Sequence, residues 1–290
     1  MKEKDIKMAT FYNQASITFG NTVINSNVAS GELVTALTLT KTAVSENYAT
    51  GDGITYVITI TNNGTTDSAG LTLTDNLGAY TLPECGAAVT PLTYVEGSLL
   101  YYQNGVLTAA PTVTANGTLT VEGITVPAGG NATLIYETRA NSTAPLESGG
   151  VITNTATLPT CENLTATATV PVRDEANPTI SKAVCPGEVT CSGEITYTFT
   201  VQNTGNIPIV ATDNLVVNDI FDPALSGITV SLDGETLAEG TGYTYDEESG
   251  VFSTLPGAIP VPAATFTRDC ANGNVVTTPG FTTLTVTGII

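Results

Sequence analysis

Sliding the sequence against itself exposes an internal repeat whose second copy stops short of the first. Lys41 matches Lys182, Ile54-Thr-Tyr56 matches Ile195-Thr-Tyr197, and Asn62-x-Gly64 matches Asn203-x-Gly205, each pair 141 residues apart. Leu71-Thr-Leu-Thr-Asp75 then matches Leu215-Val-Val-Asn-Asp219 after a three-residue insertion, and Gly129 to Tyr136 resembles Pro279 to Val286. In the first copy this last segment is followed by Val151-Ile-Thr-Asn-Thr-Ala-Thr-Leu158. The second copy reaches Ile290 where that segment is due, which predicts a unit with an open apolar groove and unpaired backbone.

The repeated unit reads as β-structure. Ile54 to Ile60 and Ile195 to Val201 are β-branched and aromatic, alternate in polarity and end in Asn/Gly turns. No long run of period 3.6 interrupts them. Many short strands with regular turns predict an all-β chain of two immunoglobulin-like β-sandwich modules, the second lacking its last strand. The expected division is a tail and donor strand over 1–31, a complete module over 32–173 and an incomplete acceptor module over 174–290.

A candidate for the absent strand stands at the other end of the chain. Phe11-Tyr-Asn-Gln-Ala-Ser-Ile17 resembles Ile152-Thr-Asn-Thr-Ala-Thr-Leu158, with Asn13 over Asn154 and Ala15 over Ala156. Asn13 precedes Lys41 by 28 residues, as Asn154 precedes Lys182. Phe11, Asn13, Ala15, Ile17 and Phe19 share one face of this strand.

Composition narrows the chemistry. The chain has 27 acidic and 8 basic residues, a net charge of −19, and no histidine. Nucleic-acid binding needs a basic footprint, and His-based triads and the usual zinc sites need histidine, so an ordinary enzyme is not expected. No cofactor or metal is called for; Asp246-Glu-Glu-Ser-Gly250 lacks the ligand spacing of a calcium loop and reads as a solvated acidic turn. No apolar run is long enough to span a membrane, and the charged start Met1 to Met8 lacks the apolar run of a signal peptide. Five cysteines leave at least one free or paired between chains; Cys185 and Cys191 are spaced to bridge a loop.

Lys41 and Lys182 are the two lysines beyond the N-terminal tail, and they occupy equivalent positions. Strand alternation places Lys41 in phase with Leu37, Leu39 and Ala43, Asp75 with Leu71, Leu73 and Leu77, and Asn154 with Ile152, Ala156 and Leu158. Lys182, Asp219 and Asn13 fall on apolar stripes in the same way. Burying a lysine, a carboxylate and an amide is costly unless they satisfy one another. A buried ion pair beside an amide would serve for either lysine alone; the recurrence of the triplet favours a covalent outcome. Burial favours a neutral, nucleophilic amine and a protonated carboxyl that stabilises the amide oxygen. Attack then expels ammonia and leaves a Lys–Asn isopeptide bond between the first and last strands, expected to be neighbours.

The residues Lys41-Thr, Gly53-Ile-Thr-Tyr-Val, Asn62-Asn-Gly64, Leu73-Thr-Asp75-Asn-Leu and Thr153-Asn154-Thr-Ala resemble the bacterial conserved-repeat surface family called domain of unknown function eleven. The likeness covers 36–170 well and 177–290 less well. It implies immunoglobulin-like modules of extracellular proteins, and related pilin and adhesin modules carry Lys–Asn bonds assisted by Asp or Glu. The plan as a whole looks like clostridial spore-appendage subunits. The expected function is a structural subunit of an extracellular or spore-surface, pilus-like fibre, with copies of itself as partners. Asn13 would link to Lys182 of the next subunit with help from Asp219; Lys41, Asp75 and Asn154 would act within one chain. The alternatives are a monomeric adhesin or stalk module binding a glycan or host protein, and a strand that folds back into its own second module.

Overall fold

The computed structural model describes residues 9–33, 36–159 and 163–290; the first eight residues and Cys161 lie outside them. The N-terminal part forms an antiparallel hairpin, β1 (Ala9–Phe19) and β2 (Thr22–Leu33), turning through Gly20 and Asn21. Gly20 has φ +61°, the left-handed conformation that a two-residue hairpin turn starting with glycine requires.

The first sandwich runs β3 (Leu37–Ala43), β4 (Gly53–Asn62), β5 (Ser68–Asp75), the short pair β6 (Tyr80–Thr81) and β7 (Ala88–Val89), β8 (Leu92–Tyr94), β9 (Leu100–Gln103), β10 (Val106–Thr108), β11 (Thr112–Ala115), β12 (Leu119–Val126), β13 (Asn131–Ala140), β14 (Val151–Leu158) and β15 (Leu164–Pro171). One sheet has six strands, in the order β10-β9-β13-β4-β3 with β8 also paired to β13; the other has the order β11-β12-β5-β14-β15. On β4 the residues Ile54, Tyr56, Ile58, Ile60 and Asn62 are buried while their neighbours in sequence are not; the period of two in the sequence is the period of burial. Their core includes Leu73, Leu119, Leu134, Ile152 and Val170. The seam between the sheets is closed at Tyr48, which bridges to Val172.

The second sandwich runs β16 (Pro178–Cys185), β17 (Glu194–Asn203), β18 (Asn218–Ile220), β19 (Ser226–Leu232), β20 (Glu235–Thr236), β21 (Tyr243–Tyr245), β22 (Val251–Thr254), the hairpin β23 (Thr265–Arg268) and β24 (Val275–Thr278), and β25 (Gly280–Ile289). One sheet has five strands, β16-β17-β25-β19-β20; the facing one has three, β18-β22-β21. By the repeat, β18 corresponds to β5 and β22 to β12. The sequence repeat finds one strand absent from this copy, whereas the sheet of β18 has two strands fewer than the sheet of β5: within the second sandwich no described strand corresponds to β14 or β15.

The repeated Asn-x-Gly is structural. Asn62 Nδ2 donates to Thr66 O (2.8 Å) and Val126 O (3.2 Å), and its Oδ1 accepts from Gly64 N (2.9 Å). Asn203 makes the same three bonds with Ile207, Pro262 and Gly205. In each copy one buried amide fixes a turn; in the first it also ties that turn to β12 of the facing sheet, and in the second to the segment at Pro262. The two sandwiches are joined by a Cys85–Cys270 disulfide, by Val275 N donating to Ser142 O (2.8 Å) and by Arg268 Nη1 donating to Thr143 O (3.0 Å). Cys185 and Cys191, spaced for a loop bridge, are both free and exposed.

Candidate functional site

The first sandwich brings Lys41, Asp75 and Asn154 into one core. Lys41 comes from β3 in one sheet, while Asp75 and Asn154 come from β5 and β14 of the facing sheet, paired so that Ala156 lies opposite Asp75. Lys41 and Asn154 therefore stand on facing sheets and not on neighbouring strands of one sheet, which corrects the expectation from sequence. The Lys41 and Asp75 side chains have no exposed surface, and Asn154 is fully buried.

Lys41 Nζ contacts Asp75 Oδ2. Tyr136 Oη donates to the same oxygen at 2.5 Å, and Leu77 N donates to Asp75 Oδ1 at 2.9 Å. Three donors thus converge on the carboxylate. The donor to the Asn154 amide oxygen is Gly78 N–H (3.2 Å), not Asp75. Gly78 has φ +75°, and a Cβ there would come within 2.8 Å of Ile152 and 3.0 Å of Pro91; only glycine lets this backbone approach so closely. Asn76 Oδ1 accepts from Gly78 N (3.0 Å) and Thr155 N (2.9 Å), pinning the turn to β14.

Among the described residues, two buried polar atoms of this core find no hydrogen-bond partner, Asn154 Nδ2 and Tyr56 Oη. Lys41 Nζ lies 4.7 Å from the centroid of the Tyr56 ring, which stacks on Tyr136 at 5.7 Å. Burial pulls the Lys41 amine down to about 8, against the opposing pull of Asp75. Burial first, then the Asp75 charge, holds the Tyr136 hydroxyl well above the ordinary phenol range, so it stays a donor. The core thus holds together an amine of lowered proton affinity, a carboxylate group that gathers three donors, and an amide whose oxygen accepts from Gly78 N–H.

The second sandwich repeats half of this. Lys182 Nζ contacts Asp219 Oδ2, but their side chains are 39% and 19% exposed. The Tyr197 ring lies 4.4 Å from Lys182 Nζ, as Tyr56 lies by Lys41, and Phe199 and Phe221 stand at 5.4 Å. Val286, opposite Tyr197, takes the place that Tyr136 holds opposite Tyr56. Asn13 is on the exposed hairpin, so the structure does not bring it to Lys182 within this chain. Sequence reading missed Gly78, Tyr136 and the role of Tyr56; of these only Tyr56, repeated as Tyr197, left a signal. Among the described residues no group of three or more His, Cys, Asp or Glu side chains is placed to hold a metal ion.

Neither a protein-family profile nor a curated protein sequence matches the chain. Among solved structures it is similar to a C-terminal fragment of the major pilin GBS80 of Streptococcus agalactiae (TM-score 0.36, 11% identity, covering 76% of this chain and 79% of that one). It is also similar to BcpA, the major pilin subunit of Bacillus cereus (TM-score 0.33, 13% identity, 93% and 73%). Red sea bream transglutaminase matches at a TM-score of 0.28 and 14% identity, where 85% of this chain spans 31% of the enzyme.

Proposed function

We propose that the chain is a structural subunit of an extracellular or spore-surface fibre that assembles head to tail by N-terminal strand donation and is locked by Lys–Asn isopeptide bonds. The observation that carries the reading is the unequal completion of the two sandwiches. The first has Lys41, Asp75 and Asn154 sealed in its core, and the second leaves Lys182 exposed and Asp219 partly so, while a segment bearing Asn13 stands on the exposed hairpin at the other end. Because donor and acceptor are different surfaces, the contact need not close and propagates as a fibre.

In the first sandwich the neutral Lys41 amine attacks Asn154 Cγ. The Nζ–Cγ bond forms, the Cγ–Nδ2 bond breaks, and one proton moves from Nζ to Nδ2, which leaves as ammonia. Asp75 accepts that proton and returns it to the leaving nitrogen, while Gly78 N–H stabilises charge on Oδ1. Enclosing both groups in one core replaces a collision between two partners. The reactive form carries a neutral amine beside a carboxylate. With the Lys41 amine lowered to about 8, the bond-forming rate should climb roughly tenfold per pH unit below that value and level off above it. Mass spectra of freshly refolded protein, taken against time from pH 6 to 9, check this; a rate flat from pH 6 to 8 would contradict it.

The fibre reading is tested on denaturing gels with peptide mapping. Unmutated polymers should give a ladder in hot detergent and a peptide joining Asn13 to Lys182 of another chain. Asn13→Ala should still permit strand addition, since alanine suits an inward position, but its fibres should fall to monomers in hot detergent. Detergent-resistant fibres with Asn13 unlinked would remove the assignment.

A further inference from the structure

The hairpin β1–β2 repeats the hairpin β14–β15 pair by pair. Asn154 stands opposite Ala168 in the first sandwich, and Asn13 opposite Ala29 at the N-terminus. Four residues on, Leu158 pairs with Leu164 and Ile17 with Ile24. Two residues before the asparagine, Ile152 pairs with Val170, and Phe11 with Gly31. A Cβ on Gly31 would come within 2.4 Å of the Phe11 ring, so the large ring lies across the position its neighbour leaves vacant. The one departure is a bulge of β2 opposite Ala15, where Ala15 N donates to Ser26 Oγ (2.9 Å).

The matching faces differ in what covers them. Ile152, Ala156, Leu158 and Val170 are buried. Phe11 is 60% exposed, Ile17 64% and Phe19 82%, with Ile24 likewise bare. A two-stranded ribbon with a bare apolar face is marginal alone and has free edges. The complementary vacancy is in the second sandwich: β18 ends its sheet where β5 continues into β14 and β15, and every residue of β16 is exposed.

The two strands of the first sandwich's hairpin have separate tasks. β14 pairs with β5 and brings Asn154 to Asp75. β15 lies along β3, the strand of Lys41, and closes the seam where Tyr48 N donates to Pro171 O (3.1 Å) and Arg173 N to Tyr48 O (2.7 Å). Resting on the fibre reading above, we infer that the donated element is the whole hairpin of a second copy, with β1 beside β18 in the register Ala15 opposite Asp219, and β2 laid along β16 as the lid that buries Lys182. The lysine is solvated until the lid docks, so the junction lysine gains the buried setting of Lys41 only after assembly. Cross-linking is thereby confined to correctly docked subunits.

Full chains carrying Asn13→Ala, in which no junction bond forms, separate the parts of this inference. Polymers of that chain should resist acylation of Lys182 by a water-soluble succinimidyl acetate about tenfold better than the monomer fraction, read by peptide mass spectrometry. Adding Ala29→Cys should give a thiol shielded from maleimide in polymers to a similar degree, while Val28→Cys, on the opposite face of β2, should label freely. Lys182 acylated at the monomer rate in polymers, or Cys labelling at 29 as fast as at 28, overturns the lid and leaves the fibre reading standing. Absence of polymers from the unmutated chain overturns both.

Discussion

Chains lacking residues 1–33 should form no fibres, giving monomers or amorphous aggregate where the full chain polymerises. The loss should be complete and not graded, because the deleted hairpin is the donor and the remaining protein keeps only the acceptor. The truncated protein retains the first sandwich intact, since its core is drawn from residues 37–172. Its far-ultraviolet circular dichroism should therefore keep the β signature while fibres vanish from electron micrographs. A synthetic peptide covering residues 9–33 should cap the full-length polymer and stop growth. A peptide ending at Gly20 should cap less well, having no β2 to lie along β16. Regular fibres from the truncated chain would exclude donation by the hairpin altogether.

How much of this was legible in the sequence depended on what each feature rests on. The core faces of Lys41, Asp75 and Asn154 were readable because a strand's side chains alternate strictly, so phase follows from neighbours such as Leu39, Leu73 and Ala156. Which sheet each strand joins was not, because alternation fixes a face and says nothing of pairing. Tyr136 escaped because the repeat breaks there, with Val286 in its place. Gly78 escaped because its role is a backbone N–H delivered by a left-handed turn, with no side chain to mark it. The second strand of the donor was hidden because the turn and the bulge at Ser26 each add one residue, so that Ala29 stands 12 residues before Lys41 where Ala168 stands 14 before Lys182. The Cys85–Cys270 pairing needs two modules brought together, which spacing along the chain does not encode.

Asp75→Ala should cost the first sandwich more than any other single change at the site, and should abolish its cross-link. The unmutated protein is expected to weigh about 17 Da less than its sequence per bond formed, the mass of the ammonia expelled by amine attack on the amide; Asp75→Ala and Lys41→Ala should each restore that mass in the first module. The stability effect has two sources. Removing Asp75 strands Lys41 in a core where its side chain has no exposed surface, and breaking a buried pair by deleting one partner costs about 3–5 kcal/mol. The covalent link between β3 and β14 closes a loop of roughly 110 residues, which in the chain-entropy picture developed for disulfides contributes about 5 kcal/mol. These separate cleanly. Asn154→Ala removes the link but keeps the ion pair, so it should lose the second contribution alone. Lys41→Met with Asp75→Leu removes link and charges together, leaving no stranded ion, and should unfold at higher denaturant than Asp75→Ala despite carrying one more substitution. If unmutated protein showed its full calculated mass and Asn154→Ala were as stable as the parent, the site would be a buried ion pair with a bystanding amide. The ordering of the double variant over Asp75→Ala would still be expected from desolvation alone, so the mass and the Asn154 variant decide the chemistry.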